Sequence, residues 1–433
     1  MIRETRFERH RKRTRYSRNS CVKSRRSLLL WFAGVDWADA HHDVMVSDDA
    51  GRKVGGRRVT HTPEGLTELN AFLLSITGPE RKEELACIIE TTHGLLIASL
   101  LEAGYAVYPV NPKTVEHRRG AAGAKTDQID AYLLAKHGRS EFADLRRLEP
   151  DSPIIAELKA LARDQDSLIH SQTRLVNQLT AWRVTYYPVA LHLFTKLQQP
   201  TTLAFLQRYP TPHVAQAASV EQVAQVLKQA GHPTPDKSAA NIVETLHHPH
   251  LTADDVTTRT KSRLMLVLVR HLQPLLEEIA VYEKQITRLF LTQEDNEVFS
   301  SLPRAGKRLA PRLLAEIGDD RQRYADAASV QALAGTSPVP YESGNYSKPR
   351  RRLACMKPLR NALSQFAWQS THTEAWAAEY SQRKRTEGKS HSVAVRALAH
   401  LWVRIIFALW RDKQWYQTAT FEAARQLHAR RAA

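Results

Sequence analysis

The sequence predicts an α/β domain in the first third of the chain and a mainly helical remainder. Residues 28–139 alternate short apolar runs with amphipathic segments, in the order strand, strand, strand, helix, strand, helix, strand, helix. Two long central segments, 153–185 and 261–290, repeat apolar residues at heptad-like spacing. From residue 358 onward the chain is rich in tryptophan, and we assign Trp368, Trp376, Trp402 and Trp410 to helical packing.

The first predicted domain contains a mixed sheet. Strands are expected at 29–37, 43–47, 53–60, 85–90 and 106–110. A helix is expected from Pro63, where proline suits a first turn, and another over 94–103. Three sequential strands followed by alternating helices and strands predict a sheet covered on both faces.

Four acids stand at the ends of these elements. Asp127 and Asp130 lie three residues apart at the start of the last helix, so they share one helical face. Two adjacent carboxylates repel each other unless a cation lies between them, and hard divalent ions with oxygen ligands meet that need. Asp36 closes the first predicted strand and Glu90 closes the fourth, so all four acids are candidate metal ligands at one rim of the sheet. Any one of them alone is equally well explained as an ordinary cap.

Composition restricts the partners. The 433 residues carry a formal net charge of +17, which predicts a polyanion, either nucleic acid or an anionic membrane surface. The most apolar segment, 393–410, contains Arg396, His400 and Arg404, so it is predicted to be a buried helix and not a membrane span. Three scattered cysteines argue against a disulfide framework or a thiolate zinc site and favour a cytoplasmic protein.

The segments outside the sheet differ in character. Residues 1–27 are dense in arginine and lysine and are predicted to form a disordered basic arm. The two heptad-like segments are predicted either to pair as an antiparallel coiled coil or to join two subunits. Between them, 189–256 is predicted to be a small helical insert, and its histidines, His247, His248 and His250, are assigned to a solvated loop.

The last third offers a hydroxyl and two groups of cations. A glycine turn at Gly306 precedes a helix and either presents backbone N–H groups to a DNA phosphate or is a plain loop. Ser343 precedes Gly344 in a predicted flexible loop, where a serine is exposed, although a Ser-Gly pair is more often only a turn. Guanidinium forks match phosphate oxygens. The candidate nucleic-acid contacts are Arg304, Lys307, Arg308, Lys348, Arg350, Arg351 and Arg352.

Six motifs occur in a fixed order between residue 30 and the C-terminal helices. They are Gly34-Val35-Asp36-Trp37-Ala38, Ile89-Glu90-Thr91-Thr92-His93-Gly94, Asn111-Pro112, Lys125-Thr126-Asp127-Gln128-Ile129-Asp130-Ala131, Ala334-Gly335-Thr336-Ser337-Pro338 and Tyr341-Glu342-Ser343-Gly344. Together they resemble the DEDD transposases of insertion-sequence family 110, the recombinases guided by a bridge RNA. Two departures stand out. Where the family commonly shows a Ser-Lys-x-Gly-Asn run before Leu-Arg-Arg, this chain has Leu353-Ala354-Cys355-Met356-Lys357-Pro358-Leu359-Arg360-Asn361. Arg304-Ala305-Gly306 stands in place of a Gly-Ile-Gly turn.

The resemblance implies a domain order. It implies a ribonuclease-H/RuvC-like domain over 28–145, a coiled-coil spacer with its helical insert over 146–295, and a mainly helical transposase domain over 296–433.

The resemblance also implies a catalytic set and partners. Asp36, Glu90, Asp127 and Asp130 would bind Mg²⁺, and Ser343 would form a covalent phosphoserine link with DNA. A homo-tetramer would hold donor and target DNA in composite sites, and a guide RNA would select the sequence.

Two other functions are compatible with the residues. A metal-dependent Holliday-junction-type endonuclease would use water as the nucleophile, and Ser343 would then be only a turn residue. A catalytically silent protein that binds RNA or DNA would keep the fold and the charge but would cut neither nucleic acid.

Overall fold

The computed structural model describes residues 29–92, 94–111, 126–344 and 346–423. The chain divides into two compact units, with the boundary between Pro150 and Asp151. The basic arm predicted for residues 1–27 lies outside the described residues, as does Lys125 of the motif that contains Asp127.

The first unit is a mixed sheet with helices on both faces. Its strands are β1 (Trp31–Trp37), β2 (His41–Asp48), β3 (Lys53–Thr60), β4 (Leu85–Ile89) and β5 (Ala106–Pro109). Among its described residues the α-helices are α1 (Pro63–Thr77), α2 (Leu95–Glu102) and α3 (Asp127–Glu141). The strand order is β3-β2-β1-β4-β5, and β1 pairs antiparallel with β2 but parallel with β4. The predicted mixed sheet is therefore confirmed.

The two faces of the sheet bury different apolar clusters. Val35 of β1 packs in one cluster with Leu69 of α1 and Leu96 of α2. Phe32 of β1 packs in the other with Leu134 of α3. Because side chains alternate along a strand, Gly34 and Asp36 lie on the same face of β1 as Phe32. This is the face that α3 covers, and Asp36 lies near its end.

Gly34 lets α3 lie directly against β1. A Cβ atom built at this position would be 1.9 Å from the carbonyl oxygen of Ala131 and 2.4 Å from the amide nitrogen of Ala135. The helix begins at Asp127, and the Thr126 hydroxyl accepts a hydrogen bond from the Ile129 amide at 3.2 Å. This close contact fixes the first turn of α3 relative to the end of β1.

The second unit is mostly helical. In the part of it that the structure describes, the α-helices are α4 (Pro153–Tyr186), α5 (Ala190–Leu193), α6 (Pro200–Arg208), α7 (Pro212–Gln216), α8 (Val220–Gln229), α9 (Pro235–His247), α10 (Asp255–Leu291), α11 (Asn296–Ser300), α12 (Gly306–Ile317), α13 (Ala327–Leu333), α14 (Lys357–Ser370), α15 (Ala375–Thr386) and α16 (His391–Asp412). Two strands, β6 (Val339–Ser343) and β7 (Tyr346–Arg350), form an antiparallel hairpin.

The two long helices run antiparallel within one chain. Ile155, near the start of α4, shares an apolar cluster with Phe290, near the end of α10. Leu179, toward the end of α4, shares another with Met265. The second cluster also contains the buried side chains of α6, α8 and α9, so these short helices form a separate core around that end of the helix pair.

The C-terminal helices form one core around α16. By length and composition alone this helix could cross a membrane. In this structure Trp402 and Trp410 are fully buried, and their indole N–H groups donate to Ser370 Oγ at 2.8 Å and to Asp295 Oδ2 at 3.1 Å. Packing is therefore confirmed for these two tryptophans. Trp368 is 42 % exposed, so its assignment to packing was wrong.

We expect Gly34→Ala to destabilise the first unit by about 2–3 kcal/mol, because the new methyl group would meet the α3 backbone, which cannot move aside cheaply. Gly56→Ala is the matched control, since the nearest atom to a Cβ there would be the flexible end of the Met45 side chain, at 2.9 Å. Thermal and denaturant unfolding of both variants measure the difference. Equal stability of the two variants would contradict the close packing of α3.

Candidate active site

The four predicted acids lie at one rim of the first unit. Asp36 is the last residue of β1 on the face that α3 covers. Asp127 and Asp130 occupy the first turn of α3. Ala86 and Ile88 of β4 belong to the same face, so the strand alternation carries Glu90 onto it as well. Three elements therefore deliver the acids to one place.

The electrostatics of Asp36 show that these acids act on one another. Its pKa is raised from 3.8 to about 6, first by burial and then by the negative charges of Asp130, Asp127, Glu90 and Asp43. Burial and neighbouring carboxylates both disfavour the charged form of an acid. A divalent cation at the rim would reverse this effect by compensating the charges.

Asp43 is a member of this group that the sequence did not reveal. It is 2 % exposed and pairs in register with Asp36 across β1 and β2. Arg58 pairs with Asp43 on the next strand, and its guanidinium binds both carboxylate oxygens, with Nη2 to Oδ2 at 2.7 Å and Nε to Oδ1 at 3.2 Å. The same Nη2 donates to Asp127 Oδ2 at 3.1 Å. Arg58 therefore supplies positive charge to the acidic rim in this structure.

A histidine completes a possible metal-binding group. One ligand atom each from His41, Asp43 and Asp127 lie within 4.8 Å of one another. His41 Nε2 is 3.3 Å from Asp127 Oδ2 and 3.9 Å from Asp43 Oδ2. This set shares only Asp127 with the four predicted acids, although Asp43 also acts on Asp36. The two carboxylates suit Mg²⁺, Ca²⁺ or Mn²⁺, whereas the imidazole is a ligand that Zn²⁺ and other transition metals favour.

The signal for these residues in the sequence was weak. Asp43 is the first residue of the predicted strand 43–47, and a charge that is buried there needs a partner. The register that places it beside Asp36 and Arg58 comes from the sheet itself.

Ser343 lies at the end of a strand, so the predicted flexible loop was wrong. It pairs with Tyr346 as the last pair of the β6–β7 ladder, and Gly344 has a φ of +56°. Positive φ is what tight two-residue hairpin turns demand, and glycine adopts it without strain. A Gly-Asn pair between two short runs that contain valine or tyrosine is a signal for a hairpin, and this signal was overlooked.

One face of this hairpin carries the serine together with cations. Residues that pair across an antiparallel ladder point to the same face. Val339 pairs with Arg350 and Tyr341 with Lys348, so both cations share the face of Ser343. The Arg350 guanidinium also stacks 3.3 Å above the Tyr341 ring.

The opposite face of the hairpin is neutral or acidic. It carries Glu342 and Ser347, whose hydroxyl donates to Glu342 Oε1 at 3.2 Å. Ser343 and Ser347 are therefore chemically alike but lie on opposite faces of one hairpin.

The other predicted cations have mixed environments. Arg304 has a φ of +56° and precedes the turn at Gly306, and both Arg304 and Lys307 are exposed at the start of α12. Arg308 forms a 3.3 Å ion pair with Asp166, so its charge is partly compensated inside the protein. Arg351 is exposed and Arg352 is half-buried in the segment after the hairpin.

Comparison with known proteins gives a consistent result. A transposase family model of the DEDD type from IS110 elements matches residues 33–188. A second model, described as the transposase of the IS116/IS110/IS902 family, matches residues 296–382. The "Mini-circle putative transposase for IS117" of Streptomyces coelicolor is 30 % identical over 86 % of this chain and 91 % of its own length. The IS900 42 kDa protein of Mycobacterium paratuberculosis is 29 % identical over 91 % of this chain and 99 % of its own length.

We expect Asp36→Asn to stabilise the metal-free protein at neutral pH. The folded-state pKa of about 6 exceeds the ordinary 3.8, so the free energy of unfolding falls as pH rises through that interval and stays lower above it. A shift of this size corresponds to about 3 kcal/mol, and screening at a half-exposed carboxyl reduces the expected gain to about 1 kcal/mol.

Thermal unfolding in EDTA at about pH 4 and about pH 7.5 measures this difference, which should appear only at the higher pH. Asp49→Asn, in the exposed turn after β2, is the control. Added Mg²⁺ should stabilise the wild type more than Asp36→Asn. A variant less stable than the wild type in EDTA at the higher pH would contradict repulsion at the rim.

Proposed function

The chain belongs to the IS110/IS116 family of insertion-sequence transposases, and from this premise we propose that it exchanges DNA strands by attack of Ser343 on a DNA phosphate. The observation that carries the proposal is the gathering of Asp36, Glu90, Asp127 and Asp130 at one rim, expressed in the raised pKa of Asp36. Carboxylates held together against their repulsion are suited to metal-dependent phosphate chemistry.

The fold of the first unit supports this proposal. Its order β3-β2-β1-β4-β5, with only β2 antiparallel to the others, is similar to the arrangement expected of a ribonuclease-H/RuvC-like domain. Placing the acids at the end of β1, after β4 and on a following helix is in keeping with that assignment.

The four acids would hold Mg²⁺, with Asp43 and His41 beside them. When bound, the ion would polarise the scissile phosphate and stabilise the leaving oxygen. Arg58 binds Asp127 in this structure, so it would have to release that carboxylate for metal coordination. Its guanidinium would then be available to neutralise phosphate charge.

Ser343 would act as the nucleophile. Its Oγ would bond to phosphorus while the phosphorus–oxygen bond to one DNA strand breaks, and the departing strand oxygen would take up a proton. The Oγ proton would pass to a carboxylate base. Lys348 and Arg350, on the same face of the hairpin, would neutralise the phosphate during the attack. The phosphoserine link conserves the energy needed for joining to a new DNA end.

The assembly and the guide are also part of the proposal. Composite sites would combine acids and serine from different subunits of a homo-tetramer that spans donor and target DNA. The antiparallel pair α4–α10 would serve as the coiled-coil spacer. A guide RNA would select the sequence by base pairing, while the protein reads backbone and shape. The chain's positive charge of +17 suits binding to both nucleic acids.

Ser343→Ala is expected to abolish covalent protein–DNA linkage and strand exchange, because the attacking oxygen is removed. Ser347→Ala, on the opposite face of the same hairpin, should retain both. Denaturing gels of labelled DNA incubated with Mg²⁺ and the required guide detect the linkage. Continued cutting by Ser343→Ala would instead indicate a hydrolase that uses water.

Asp127→Asn is expected to reduce cleavage by about a hundredfold or more, because one metal-binding carboxylate is removed. Asp49→Asn, which removes an exposed acid from the same unit, should cleave normally. Rates on supercoiled donor DNA measure the effect, and binding of the same DNA is followed in parallel. Equal behaviour of wild type and Asp127→Asn would favour a silent nucleic-acid-binding protein.

A further inference from the structure

A cationic cavity in the second unit has no role in the chemistry above. It has a volume of about 340 Å³ and lies between α4, α12 and α14. Its lining includes the cations Arg163, Arg174, Arg312 and Lys357 and the carboxylate Asp166. The remaining lining is neutral polar side chains, one histidine and one proline. Pockets for small apolar ligands are lined mainly by hydrophobic side chains, so this one suits a charged ligand.

Two of the arginines are fixed in place by forked ion pairs. Arg163 binds Glu316 with oxygen contacts of 2.8 and 2.9 Å. Arg312 binds both oxygens of Asp166 at 2.8 Å. Arg312 is 3 % exposed, and its Nε is buried without a hydrogen-bond partner among the described residues. A buried donor left unpaired is costly, which indicates a ligand or water at this wall.

The cavity has more positive charge than these ion pairs compensate. Arg174 and Lys357 are exposed at its edge, and Arg174 donates to the neutral Ser171 hydroxyl at 3.2 Å. Lys357 and Pro358 form the first turn of α14, where the N-cap Met356 provides no side-chain cap. Uncapped amides and the helix dipole favour an anion at such a helix start.

We propose that this cavity binds a backbone phosphate of nucleic acid. Arg312 and Arg163 present preorganised guanidinium groups, while Arg174 and Lys357 add the charge that an anion would neutralise. The inference rests on the proposed function only in taking nucleic acid as the partner, since it requires no cleavage and no metal.

The position of the cavity along the chain links it to the serine hairpin. Lys357 follows Arg350, the last residue of β7, by seven positions in the same unit. Seven residues span at most about 25 Å, and in a DNA duplex the phosphates of one strand advance by about 3.4 Å along the helix axis. A duplex that lies along the hairpin would therefore reach the cavity within about seven nucleotides, so one bound nucleic acid would contact both.

The test is the salt dependence of nucleic-acid binding by the full chain. A labelled DNA duplex and a labelled single-stranded RNA are titrated in EDTA, so that no cleavage occurs. The double variant Arg174→Gln/Lys357→Gln should bind about tenfold more weakly, and the slope of log affinity against log salt should fall by about one for each phosphate that is no longer neutralised. The matched control, Lys228→Gln/Lys237→Gln, removes two exposed charges from the helical insert and should change both quantities much less.

A second variant, Ser167→Glu, tests the cavity independently of the double substitution. Ser167→Glu places a carboxylate on the exposed α4 wall of the cavity, a position that tolerates a helical residue, and should weaken binding at least as much. Circular dichroism and melting confirm folding of each variant. Unchanged affinity and slope in Ser167→Glu and in the double variant would overturn the proposal.

A measurement with inorganic phosphate distinguishes a free anion from a phosphate of nucleic acid as the ligand of the cavity. If phosphate raises the melting temperature of the wild type but not of Ser167→Glu, while oligonucleotide affinity is equal in both, the cavity takes a free anion and the proposal fails. Absence of cleavage by the wild type would count against the proposed function but not against the cavity, because the binding test contains no chemistry.

Discussion

The close contact between α3 and Gly34 is the constraint on which the acidic rim depends. Carboxylates that repel one another do not gather spontaneously, so packing elsewhere must hold them. The apolar face of α3, with Leu134 and Ala135, is buried against Phe32 and Ile88, and the missing Cβ of Gly34 sets how near the helix lies. Burial of this face stabilises the first unit by several kcal/mol, about 1.5–3 kcal/mol for each large apolar side chain. That is enough to hold Asp127 and Asp130 beside Asp36 despite the raised pKa.

The second unit shows the opposite case, in which cations are brought together beyond what their partners compensate. Asp166 is shared by Arg308 and Arg312, and Arg163 is bound by Glu316, so each of these three guanidinium groups has a carboxylate partner. The exposed cations at the edge of the cavity are not offset to the same degree. Buried ion pairs contribute little net stability, but they fix side-chain geometry. The paired arginines therefore give the exposed cations a rigid base, and a polyanion would complete the charge balance.

The parts of the fold and of the candidate site that could be predicted are those whose sequence signal lies within a short stretch of the chain. The strands, the helix that carries Asp127 and Asp130, and the ends at Asp36 and Glu90 follow from short apolar periods and turn residues, and the structure has them within a few residues. Asp43 could not be recognised, because its role depends on the register that aligns it with Asp36 and Arg58. The cavity unites α4 with residues of α12 and α14 that are far apart in the chain. No local pattern reports such proximity. The exposure of Trp368 is a different case, because the buried stripe formed by Leu363, Phe366 and Ser370 of α14 leaves it on the other side of the helix.

The hairpin bears on the choice between a serine and a water nucleophile. A hydrolase needs only the metal and a water, so nothing would require a hydroxyl on the cationic face of an exposed two-stranded ribbon. Such a ribbon gains little from burial and is marginal by itself, so a bound partner would stabilise it. Nucleic acid bound along Lys348 and Arg350 would supply that stabilisation and would bring a phosphate to the face of Ser343. The ladder already fixes the position of Ser343 in the hairpin, and a bound strand would add the phosphate that the serine attacks.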